Sequence, residues 1–163
     1  MSEISELLER FRRGPELLAA ALTGVAGSEQ DFVPEPGKWS IRQIAAHVAD
    51  SELEGAVRFR RILAEDNPIL QAYNQDLWAV KLDYSKRKPS HALETFRRIR
   101  TENYELFKDI PEAAFQRTGN HTERGTVTLL DLLKIYATHA EKHSHQIRLV
   151  RDQFRQAKTA AKV

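Results

Sequence analysis

From Thr128 to Val150 the apolar residues keep to one helical face. Leu129, Leu133, Tyr136, Ile147 and Val150 recur with a helical period. A face that long has to be buried against other helices, so this stretch commits the chain to helical packing. Its start is marked as well: Thr128 is a capping residue, and Asp131 sits favourably in the first turn. Two histidines belong to the same stretch. His143 lies on the apolar face between Tyr136 and Ile147, and His139 lies beside it.

Three more stretches carry the same period. In residues 3–22, Ile4, Leu7, Leu8, Phe11, Leu18 and Ala21 stay in phase, with Gly14-Pro15 set to kink or break the helix. A second helix opens at Ser40, where Gln43 completes a capping box, and closes at Asp66-Asn67-Pro68. Its stripe is Ile41, Ile44, Val48, Phe59 and Ile62, and Gly55 falls in phase, where a neighbouring helix can approach closely. Ser90 reads as the cap of a third helix carrying Leu93, Phe96, Ile99, Asn103 and Leu106 as far as Pro111. Residues 31–37, 69–88 and 116–127 read as connectors, the middle one holding a short helix. No strand pattern and no internal repeat stands out. The expectation is an all-α four-helix bundle with long crossover connections, one domain over residues 1–155, and a frayed tail over 156–163.

Composition narrows the function classes. A chain of 163 residues can bury one sizeable core. Its 25 basic and 23 acidic residues give a net charge of +2, too balanced for a nucleic-acid binder. No apolar run is long enough for a membrane span. The opening residues Met1-Ser-Glu-Ile-Ser-Glu lack a signal-peptide pattern, which sets a cytoplasmic expectation. Cysteine is absent, so any metal must be held by His, Asp or Glu.

His139 and His143 are one helical turn apart, a spacing that lets two imidazoles reach one ion. His47, on the second helix, joins them if the two helices pack side by side. Three neutral imidazoles would then leave coordination positions open, as catalytic sites do. Each residue also has a plainer reading as a hydrogen-bonded structural histidine, and a lone four-residue pair arises often by chance. Asp50 and Glu54, one and two turns beyond His47, are candidates to orient a ligand ring or to act as general base, against the plainer reading of solvated carboxylates. His91 reads as a solvated residue, and His145, rotated away from the pair, reads as a surface residue or one supporting the ligands from behind. His121 reads as a polar connector residue that could overhang the site.

These residues fall in an order that resembles the DinB-like (DinB/YfiT) superfamily of metal-dependent enzymes. The resemblance runs from about Leu7 to Ile147. It rests on Lys38-Trp39-Ser40-Ile41, on His47 followed by Ala49-Asp50-Ser51-Glu52, and on Gly125-Thr126-Val127-Thr128-Leu129 leading into His139-x-x-x-His143-x-x-Gln146-Ile147. It implies an up-down-down-up bundle, a nickel or zinc ion held by His47, His139 and His143, and a homodimer. It also implies activation of a low-molecular-weight thiol, as in bacillithiol transferases and mycothiol-dependent maleylpyruvate isomerase. Thiol S-transfer is the leading expectation. Metal-dependent hydrolysis is the alternative, and a non-enzymatic, metal-stabilised binding domain is the rival class. A fourth protein ligand would favour that rival.

Overall fold

The computed structural model describes residues 2–25 and 27–162. The first bundle helix is broken, as Gly14-Pro15 foretold. α1 (Glu3–Arg12) and α2 (Gly14–Leu22) meet at Arg13, which ends one and begins the other. A single turn, α3 (Ser28–Asp31), leads to α4 (Ile41–Ala64). Then come a short strand β1 (Ile69–Leu70), α5 (Gln75–Lys81) and α6 (Pro89–Phe107). A hairpin of β2 (Thr118–His121) and β3 (Gly125–Thr128) precedes α7 (Leu129–Ala160). The bundle is formed by α1 with α2, α4, α6 and α7, with α7 packed on α1, α2 and α4 and α6 packed on α4.

Local chemistry sets the two helix starts that matter most. Ser40 accepts from the Gln43 amide while the Gln43 side chain accepts from Ser40 N–H, and Thr128 and Asp131 form the same reciprocal pair. Three expectations need correction. The cap of α6 is Lys88, because Pro89 occupies the first turn, where a missing N–H costs nothing; Ser90 is already inside the helix. α7 continues through Ala160, so residues 156–160 are helical, though every side chain there is exposed. The connectors also contain a three-stranded sheet, β1 parallel to β2 and β2 antiparallel to β3, with Gly119 opposite Val127.

Two apolar clusters fill the bundle. One centres on Phe11, Phe59 and Phe107, whose rings meet edge to face at 4.9 to 6.0 Å. The other gathers Leu18, Ile41, Ile44, Phe96, Ile147 and Val150. Along α4 the clusters are separated by Asp50, Ser51 and Glu52, and along α7 by His139. Glu52 and Arg100 form an ion pair at 2.7 Å, each 1% exposed. Asn103 also donates to Glu52, and Arg100 donates to the carbonyls of Phe11 and Tyr136, so this pair ties α1, α4, α6 and α7 together. Each charge is thereby satisfied, which a buried ion pair requires. Among the described residues no helix is long and apolar enough to cross a membrane.

Candidate metal centre

The capping box that starts α4 sets its phase, and its second turn carries His47 inward. The capping box of α7 does the same for His139 and His143. Because α4 packs on α7, residues 92 positions apart meet: His47 Nε2 lies 3.0 Å from His139 Nε2. One potential ligand atom from each of the three rings lies within 4.8 Å of the others, and among the described residues no carboxylate completes a fourth position. Ring centroids are 4.3 to 5.0 Å apart. Two nitrogens on a tetrahedral zinc, each about 2.0–2.1 Å from it, stand about 3.3 Å apart, so the His47–His139 separation suits one shared ion.

The electrostatics point the same way. Burial, with His143 and Lys142 as lesser causes, pushes the His47 imidazole down to about 3. Burial and the two neighbouring rings hold His139 well below its ordinary value. His143 is lowered too, chiefly by burial, with its hydrogen bond to Gln146 acting in the opposite sense. All three rings are therefore neutral at pH 7, the form that ligates. His143 Nδ1 donates to Gln146 Oε1 at 2.7 Å, which leaves its Nε2 lone pair free. Trp39 packs its ring 4.9 Å from that of His47, while His47 Nδ1 is buried and has no partner among the described residues.

His47 and His139 line a cavity of about 320 Å³, together with Ser51, Arg58, Tyr73 and His121. His143 lines a second, more open cleft with Trp39, Lys38 and Lys142, and Gln75 borders both spaces. The carboxylates singled out from the sequence stand elsewhere. Asp50 is buried and accepts from Tyr84 Oη at 2.8 Å and from Arg87 at 3.2 Å. Glu54 faces Arg58 at 3.9 Å. Neither lines the cavity. His145 and His91 are exposed. His121 is not a loop residue: it ends β2, buried, in the cavity wall.

Arg58 and Tyr136 were missed as wall residues by reading the sequence alone. Arg58 donates to Tyr136 Oη at 3.0 Å and to the Gln71 carbonyl at 2.7 Å. The only available signal for Arg58 was a basic residue in phase with Ser51 and Gly55 on an otherwise apolar face of α4.

The chain is similar to known proteins. Putative metal-dependent hydrolases from Bacillus mycoides and Oceanobacillus iheyensis are 27% and 26% identical to the chain, over 91% and 86% of it and 86% and 81% of their own lengths. The Bacillus subtilis protein of the same description, YfiT, is 26% identical over 79% of the chain and 73% of its own length. A solved structure of Bacillus subtilis YfiT, described as a probable metal-dependent hydrolase with an unusual four-helix bundle topology, superposes with a TM-score of 0.87 at 23% identity. That superposition covers 94% of the chain and 90% of YfiT. The family model of the DinB superfamily matches residues 10–147, a span that contains all three histidines and both capping boxes, and the chain belongs to that superfamily.

Proposed function

We propose that the protein is a metal-dependent hydrolase in which His47, His139 and His143 hold one divalent ion. The convergence of three neutral imidazoles, two of them lining a cavity, carries this reading. Imidazole donors suit zinc or nickel. Three protein ligands without a fourth leave positions open for a reactant, which disfavours a purely structural role. When bound, such an ion supplies Lewis acidity toward a water, thiol or carbonyl beside it.

The chain's own residues prepare the centre. Gln146 holds the His143 ring in the ligating tautomer. Trp39 covers one face of His47. Asp50 and Glu54 act through their partners, Asp50 by fixing Tyr84 and Arg87 and Glu54 by facing Arg58, rather than as bases at the reacting atoms. The names of the relatives support hydrolysis.

Thiol transfer is the second reading. The cleft on the His143 side gives a second approach to the centre, which a reaction between a low-molecular-weight thiol and an electrophile would use. A panel of esters, amides and thiol–electrophile pairs, assayed before and after chelation and metal return, separates the two. Metal-dependent ester or amide cleavage with no response to thiols is the expected result. Turnover only with a thiol would select transfer, and no metal-dependent turnover in either panel would contradict both. A homodimer is a further proposal, supported by the exposed Leu53 and Val57 one turn apart on α4 and by Val80 on α5; sedimentation velocity tests it.

A further inference from the structure

Part of the cavity wall has no role in the metal reading. It contains Arg58, Tyr73, His121 and Arg124. His121 Nδ1 accepts the backbone N–H groups of Glu123 at 3.2 Å and Arg124 at 3.3 Å in the turn after β2. Nδ1 therefore carries the lone pair and Nε2 the proton. That Nε2–H has no acceptor among the described residues, and the ring belongs to the cavity lining.

Arg58 is 9% exposed. Its Nη1 and Nη2 donate to a phenol oxygen and a backbone carbonyl, both neutral, and its Nε has no partner among the described residues. The nearest carboxylate, Glu54, stands at 3.9 Å, beyond hydrogen-bond reach. Arg124 adds a second, exposed charge, and the one acid of the lining, Glu123, is exposed. A buried cation without a hydrogen-bonded anion is costly, and a wall of donors complements a group that only accepts.

We propose that this wall is a subsite for an oxyanion group of the substrate, a carboxylate or a phosphate, received by Arg58, His121 Nε2–H and Arg124. The cavity has the size of a small-molecule site. The reaction that follows rests on the metal-centre reading; the anion preference does not.

The test titrates the full-length protein, metal-loaded and chelated, with benzoate, phenyl phosphate and uncharged benzamide, followed by calorimetry or ligand-observed NMR. At least one anion should bind about tenfold or more tightly than benzamide in both forms, as charge-assisted bonds predict. His121→Phe and Arg124→Ala should each reduce that preference several-fold with unchanged metal content, Arg124→Ala with unchanged melting as well and His121→Phe with some loss of melting temperature, because Phe removes the acceptor of two backbone N–H groups. Arg58→Lys should do the same, but Arg58 also holds Tyr136, so the first two variants decide the matter. Equal binding of anion and amide overturns the subsite. So does a preference untouched by His121→Phe and Arg124→Ala, or one seen only with metal present, which would place the anion on the ion itself. Anion preference in a chain that shows no metal-dependent turnover would leave the subsite standing and remove the hydrolase reading.

Discussion

His143 reaches the centre with its Nδ1 tied to Gln146, one turn along the same helix. Ligand rings held this way keep their tautomer and orientation, and removing such a partner costs about 10–100-fold in affinity. Gln146→Leu should therefore weaken zinc binding by about that factor in competition with a chromogenic chelator; unchanged affinity would mean that packing alone holds the ring. Acid should act on the metal-free protein through the same residues. The ordinary imidazole value is 6.5, and burial holds His47 at about 3 in the fold. As pH falls below 6.5 the unfolded chain takes up a proton that folded His47 refuses until near pH 3, so stability is full above that window and declines through it. His139 and His143, lowered for the same reason, add to the slope. The melting temperature of chelated protein should fall between about pH 7 and about pH 4.5, and less steeply in His47→Gln. Equal slopes would show that His47 is not buried neutral. At this scale the grouping of the histidines was legible because helical spacing selects His139 and His143, whereas the surroundings of Asp50 and Glu54 were not. Their offsets from His47 are right, yet partners on other segments, Tyr84 and Arg87, decide where Asp50 points.

The approach of α4 to α7 depends on a residue with no side chain. A Cβ at Gly55 would lie 2.5 Å from Tyr136 Cε1, so the ring packs directly on the α4 backbone. The Tyr136 hydroxyl in turn receives Arg58. Gly55→Ala gains up to about 1 kcal/mol of helix propensity but forces the ring aside, and overpacking costs about 1–3 kcal/mol. A net loss of stability is expected in denaturant titration, together with altered ligand binding in the cavity; a stabilised variant with unchanged binding would contradict the close approach. The phase of Gly55 was readable in the sequence, and so were the capping box at Ser40 and the cap at Thr128, because these signals are local. The hairpin was not. Its inward positions are filled by Gly119, His121 and Val127, which leaves only one apolar residue to show alternation. The start of α6 was misjudged because Pro89, a good first-turn residue, outranks Ser90 as a boundary signal.

Across the whole molecule, the bundle brings together what the chain separates. The histidine trio could be nominated from the sequence, but its meeting depends on α4 packing against α7, which no local pattern encodes. The cavity wall was less legible still, since Arg58 and His121 become neighbours of the centre only once the hairpin and the 65–74 connection are placed. The central claim is that His47, His139 and His143 hold a single ion, and elemental analysis of the purified protein beside its three single-histidine alanine variants tests it most directly. The account predicts about one zinc or nickel ion per wild-type chain after metal exposure and dialysis, and its loss in every variant while the helical circular dichroism persists. Wild-type metal content in His143→Ala, or none in the wild type, would contradict it.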